Sequence, residues 1–177
     1  SEFGFQVNVP DDWEPVPPDP NEGNTIIKFD PKSVKYVIVD AKSTRPTQLD
    51  LHVWLARFEK NAPKRAKTDL KIRSKDIGSY VKREIFPGAQ EVSKKSLQVN
   101  KIPATEYQFS GMIGEDEVRV YAVVYELNAS LDVAWISIGV GGKKWPKWEQ
   151  PFQQMAKSFK TIAVKAGPEA LAEGATF

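Results

Sequence analysis

Between residues 96 and 138 the chain repeats one pattern, in which apolar and polar residues alternate with a period of two and only short turns intervene. Residues 96–100, 104–109, 118–127 and 131–138 each carry this alternation, the signature of a strand with two unlike faces. The connections Gly114-Glu115-Asp116 and Asn128-Ala129-Ser130 are turn-sized. Parallel neighbours need a long crossover, so these strands are expected to form hairpins in one antiparallel sheet. Whatever else the chain builds has to pack on that sheet.

The remaining elements are read around this frame. Phe5-Gln6-Val7-Asn8-Val9 alternates as a first strand, which Pro10-Asp11-Asp12 ends before Trp13. Pro15, Pro17, Pro18 and Pro20 lead to Asn21-Glu22-Gly23, which reads as a loop because proline lacks the amide donor. Strands are expected at 25–29 and 34–41, joined by Asp30-Pro31-Lys32-Ser33. Thr47 and Asp50 have capping-box spacing, and Leu51, Trp54, Leu55 and Phe58 follow at i, i+3, i+4 and i+7. Together they predict a helix ended by Asn61 and Pro63. A second helix is expected over 75–86, with Ile77, Tyr80, Val81 and Ile85 on one stripe and Pro87-Gly88 as the stop. A last helix carries Trp148, Phe152, Met155 and Phe159, with Pro151 in its first turn, before a short strand at Thr161-Ile162. Residues 163–177 read as a tail, with one helical turn from Pro168. The expectation is one domain over 4–162, of α+β class: an antiparallel sheet flanked by helices as an α/β/α sandwich.

The chemistry available is narrow. Among 177 residues there is no cysteine and one histidine, His52. Thiolate zinc sites, cysteine nucleophiles, Ser-His-Asp triads and histidine-based metal catalysis are thereby excluded within the chain. Asp11/Asp12, Glu115/Asp116/Glu117 and Asp30 with Asp40 are the carboxylate groupings; none has calcium-loop spacing, so no metal or cofactor is expected, and turn roles are expected for Asp11, Asp12 and Glu115 to Glu117. Gly139-Val140-Gly141-Gly142-Lys143-Lys144 joins a strand to a helix and has the ingredients of a phosphate cradle without P-loop spacing. A plain strand-to-helix turn is the reading adopted. The sequon at Asn128 is a chance match in a turn.

Net charge is +2, too small for a nucleic-acid binder. From Arg57 to Lys101, however, thirteen basic residues stand against five acidic ones, while the first fifty residues are net acidic. Lys64, Arg65, Lys67, Lys71, Arg73 and Lys75 crowd a connector too poor in apolar residues to be buried, so a positive face is expected there, fit for an acidic partner or an anionic surface. Of the five tryptophans, Trp145, between Gly-Gly-Lys-Lys and proline, is expected to be partly exposed and to join that binding set; the other four are expected in the core. No apolar run approaches the length of a transmembrane helix. The chain opens on Ser1-Glu2-Phe3 without methionine, and the expectation is that a signal peptide, a lipoprotein anchor or an upstream domain preceded it.

A first strand ending in Val9-Pro10-Asp11-Asp12-Trp13, a meander, two helices, antiparallel strands and a closing helix with Phe152…Ser158-Phe159 together resemble the PsbP/Mog-like superfamily. That family includes photosynthetic PsbP proteins, a Ran-binding import factor and bacterial secreted or lipid-anchored proteins of the DcrB and LpqN types. The resemblance spans residues 4–162 and implies the sandwich fold, no shared catalytic residues and no transferable calcium or manganese ligands. It implies a non-enzymatic, extracytoplasmic protein that binds another protein or assists an assembly. The alternatives are an anionic-ligand or membrane-surface binder acting through the basic segment 57–83, and a hydrolase dependent on carboxylates and lysines.

Overall fold

In a computed structural model of the chain, residues 4–17, 25–32, 35–38, 47–50, 53–59, 77–82, 86–127 and 131–162 are described. The strands are β1 (Phe5–Gln6), β2 (Trp13–Val16), β3 (Thr25–Pro31), β4 (Lys35–Ile38), β5 (Thr47–Asp50), β6 (Val53–Glu59), β7 (Gln90–Val99), β8 (Ile102–Ile113), β9 (Asp116–Glu126), β10 (Leu131–Val140) and β11 (Lys160–Thr161). The helices are α1 (Ile77–Tyr80) and α2 (Trp145–Lys157). Seven strands form one antiparallel sheet in the order β2-β3-β6-β10-β9-β8-β7; β4 with β5, and β1 with β11, form separate ribbons.

The hairpins follow from local turn chemistry. Asn100 and Lys101 have φ of 48° and 69° and join Val99 to its partner Ile102. Positive φ at both positions is what a two-residue type I′ turn requires. Gly114, at φ 61°, turns β8 into β9 with Ile113 opposite Asp116.

Alternation then sends each strand's residues to two faces. Val118, Val120, Ala122 and Val124 of β9 join Tyr107, Phe109, Ala134, Ile136 and Ile138 in one core, closed by Ile77, Tyr80 and Val81 and by Phe86. Tyr121, Val123 and Tyr125 join Val133 and Trp135 in a second core on the opposite face, closed by α2 through Trp145, Trp148, Phe152, Met155 and Ala156. The sheet therefore carries a helix on each face, an α+β sandwich.

Several expectations need correction. The helix expected from Thr47 is replaced by strands: Thr47–Asp50 pairs with β4, and Val53–Glu59 pairs with both β3 and β10. A strand paired along both edges has its backbone groups taken up by two ladders, and that pairing overrides the helical spacing of Leu51, Trp54, Leu55 and Phe58. Pro15, expected in a loop, lies within β2 opposite Phe29. Strand β2 is the sheet's edge, where a missing amide costs no ladder bond. Finally, Pro151 lies inside α2 and not in its first turn, because the helix starts at Trp145.

The second expected helix is short. After Tyr80 it passes through a π turn at 81–82, with the Phe86 amide donating to the Val81 carbonyl at 2.7 Å, and Gly88 at φ 91° completes the stop. Phe86 then packs so closely on β8 that a Cβ at Gly111 would lie 2.7 Å from its ring. Gly111→Ala is expected to cost about 1–3 kcal/mol by overpacking, read as a lower urea midpoint with an unchanged slope.

The ends of the domain are tied together by the Ser158-Phe159 pair. The Ser158 hydroxyl accepts from the Asn8 amide at 2.7 Å and donates to the Met155 carbonyl at 2.6 Å. Phe159 stacks on Tyr125 at 4.0 Å and on Phe5 at 5.5 Å. The Asn100 side chain donates to the Phe159 carbonyl at 2.7 Å, fixing the end of α2 to the β7–β8 hairpin. The expected closing strand is present, as Lys160–Thr161 paired with Phe5–Gln6.

Candidate functional site

Alternation along β8 places Glu106, Gln108 and Ser110 in a row on the α2 face of the sheet, between the edge strand β7 and the helix. This is where the described polar side chains gather. Glu106 is 2% exposed, and burial of a carboxylate demands partners. The Tyr121 hydroxyl donates to its Oε2 at 2.8 Å. Lys95, directly opposite on β7, brings Nζ to 2.7 Å from Oε1 as an ion pair. Burial first, and then the bond to Glu106 and its charge, push the Tyr121 phenol far above its ordinary value. Tyr125, raised chiefly by burial, donates to the Ala156 carbonyl at 2.7 Å. Neither phenol is available as a base at neutral pH.

One step along the row, the Gln108 amide donates to Glu149 of α2 at 3.0 Å, as does Gln153 at 3.3 Å. A further step reaches Glu117, the most connected of the carboxylates. Its Oε1 accepts from the Ser110 hydroxyl at 2.9 Å and from Arg119 Nε at 2.7 Å. Its Oε2 accepts from the Gly142 amide at 2.7 Å, 25 residues away, and its backbone carbonyl accepts from the Gly141 amide at 2.7 Å.

This settles the glycine-rich turn. The Gly141 and Gly142 amides that had the ingredients of a phosphate cradle are engaged by Glu117, so the protein supplies its own anion at this helix start. A Cβ at Gly141 would lie 2.7 Å from Glu117 Cγ, which is why glycine stands there. The Arg119 bond first, then the Ser110 bond, hold the Glu117 carboxyl below its usual 4.5, against a smaller opposing effect of burial. A depressed folded-state value means that the carboxylate stabilises the fold above its unfolded pKa, and that this contribution is lost as pH falls through the folded one. Glu117→Gln is therefore expected to lower stability by about 1–2 kcal/mol at neutral pH. The difference between variant and wild type should shrink as urea melts are taken below pH 4.5.

Of the expected turn residues, Glu117 lies within β9 and Asp30 within β3, whereas the others stand at turns. Asp11 and Asp12 are exposed in a turn whose Trp13 amide donates to Pro10 at 3.0 Å, and Glu115 and Asp116 are exposed at the β8–β9 turn. Trp145 is not exposed as expected: it is 3% accessible. It packs against Phe152 at 5.9 Å and lies under the Arg119 guanidinium at 5.9 Å. Its distance from Trp148 and Phe152, three and seven residues, was the legible signal, since it extends their stripe back by one turn. Lys64, Arg65, Lys67, Lys71, Arg73 and Lys75 lie outside the described residues, as do His52, Asp40 and Asn128. The row Glu106-Gln108-Ser110 escaped sequence reading because its partners lie on β7, β9 and α2. Among the described residues, no three acidic or histidine side chains group to hold a metal ion, and no helix is long and apolar enough to cross a membrane.

No protein-family model matches the sequence, and neither does any curated protein. Solved structures do match. Cyanobacterial PsbP (CyanoP) from Synechocystis superposes with a TM-score of 0.60 at 13% identity, over 92% of this chain and 89% of its own. LpqN of Mycobacterium tuberculosis, involved in cell envelope biogenesis, superposes at 0.53 and 13% identity, over 90% of this chain and 83% of its own. A mutant of Mog1 superposes at 0.53 and 11% identity, over 93% and 94%. With its seven-stranded sheet, its closing helix and its tied ends, the chain has the PsbP/Mog-like fold.

Proposed function

We propose that this chain is a non-enzymatic protein that binds another protein or assists an assembly outside the cytoplasm. The observation that carries this reading is the state of its polar row. Glu106, Glu149 and Glu117 each accept from or pair with groups of the chain's own fold, so the carboxylates gathered in this row of the described residues are engaged in structure. LpqN, involved in cell envelope biogenesis, shares the fold and supports a role outside the cytoplasm. The binding face proposed is the basic segment 57–83, with Lys64, Arg65, Lys67, Lys71, Arg73 and Lys75 meeting an acidic protein surface; buried Trp145 drops out of it.

The test compares the wild type with a variant carrying Lys64→Gln, Arg65→Gln, Lys67→Gln and Lys71→Gln. Photo-crosslinking from position 67 in the source cell should capture one protein partner, and the fourfold variant should lose it. Vesicle sedimentation runs alongside, with anionic and neutral lipids at low and high salt, since exposed charges are screened over about 8–10 Å at physiological ionic strength. Salt-sensitive binding to the anionic vesicles alone would transfer the segment to a membrane role. Saturable hydrolysis of ester, glycoside or phosphoester substrates, abolished by Glu106→Gln, would overturn the non-enzymatic reading.

A further inference from the structure

Strand β7 closes one side of the seven-stranded sheet and has β8 as its sole strand neighbour among the described elements. The opposite edge, β2, is four residues long and holds Pro15, which blunts it. Strand β7 is ten residues long with no proline, and only Val99 of it is buried. A long edge of this kind presents backbone amides and carbonyls to any incoming strand.

Lysines usually protect such an edge by holding their charge in the water beside it. Here both lysines are drawn back onto their own sheet: Lys94 Nζ lies 5.2 Å from the centre of the Tyr107 ring, and Lys95 Nζ lies 2.7 Å from Glu106. They turn to opposite faces, and the line of backbone groups between them is left clear.

The direction of those groups follows from the hairpin. The two-residue turn closes on Val99 opposite Ile102, which makes that a hydrogen-bonded pair, so the amides of Val99, Leu97 and Lys95 point to β8 and those of Gln98, Ser96 and Lys94 point outward. A register irregularity between Glu91 and Ser93 confines regular pairing to residues 93–99, whose midpoint is Ser96. We propose that β7 pairs antiparallel with β7 of a second copy about a two-fold axis at Ser96, joining the two sheets.

In this register Ser96 faces its own equivalent, Lys94 faces Gln98 of the partner subunit and Lys95 faces Leu97 of the partner subunit. No like charges stand directly opposite, and the outward-pointing residues of each strand meet as hydrogen-bonded pairs. Centring the axis on Lys94 or Lys95 would set a lysine against its own copy, and centring it between them would oppose the two. The strand is self-complementary at the place where its backbone is regular and open, which makes a second copy the occupant.

Sedimentation velocity from about 10 to 500 µM is the test, a span that covers weak dimers. The wild type should pass from monomer to dimer. Ser96→Pro removes one outward amide from each strand and should remain monomeric with its melting temperature little changed, because an edge strand tolerates proline whose missing amide faces solvent. Gln98→Lys sets a lysine opposite Lys94 twice per dimer and should weaken association about tenfold. Adding Lys94→Glu to Gln98→Lys then sets opposite charges across the same register and should restore the dimer. A wild type that is monomeric throughout overturns the proposal, and so does a Gln98→Lys variant that dimerises as tightly as the wild type.

Discussion

Phe152→Ala is expected to destabilise the fold by about 3–5 kcal/mol, the range for removing a large aromatic side chain from a packed core. Phe152 is fully buried where α2 meets the sheet. It packs edge-on against Trp13 at 6.2 Å and 74°, and beside Trp145 at 5.9 Å and Trp148 at 6.5 Å. Three rigid indoles cannot collapse into the space a benzyl group leaves, so most of the cavity cost should remain. For a chain of this size the loss corresponds to a melting temperature lower by roughly 10 °C. The same variant should loosen the first strands, because Trp13 begins β2 and Phe152 is its aromatic partner on the helix. A melting temperature within error of the wild type would mean that α2 does not close this face.

The second large effect is expected at Tyr121→Phe, in the buried pair with Glu106. Tyr121 is fully buried, and its hydroxyl donates a hydrogen bond to the Glu106 carboxylate at 2.8 Å. Without it a carboxylate oxygen stays buried and unserved, which costs about 2 kcal/mol for a bond to a charged group. The companion variant Glu106→Gln keeps an acceptor for the phenol, so the double variant should cost less than the sum of the singles. The sign with pH is fixed by the raised phenol: its contribution is present in full below the ordinary value of 10.0 and is lost as pH rises beyond it. Tyrosinate absorbance should accordingly develop for Tyr121 only as the alkaline transition unfolds the chain. Additive effects of the two variants would remove the coupling argued for this pair.

Much of this was legible in local pattern. The strands from β7 to β10 were readable because alternation and turn residues act over a few positions, and Gly114 sits where positive φ is needed. The turn at Asn100-Lys101 was not, because the alternation of 96–100 runs on through Asn100, whereas the strand spans Gln90 to Val99. The stripe of α2 was readable for the same reason, although its start was placed too late and Trp145 was left outside.

What only the tertiary structure decided is set by neighbours distant in the chain. Residues 47–59 carry a helical stripe and a capping box, yet β3 and β10 claim 53–59 from both sides, and two ladders outweigh a propensity worth tenths of a kcal/mol per residue. Glu117 reads as a turn residue until Gly142 arrives from 25 positions away to bond it. Glu106 stands out in no local pattern, and its burial follows only when Tyr121 and Lys95 enclose it. Sequence alone determines which residues alternate and where the backbone turns, because those are short-range consequences of sterics and hydration. Which strand becomes central and which carboxylate is buried depends on what the rest of the chain brings alongside, and this is fixed only when the sheet closes.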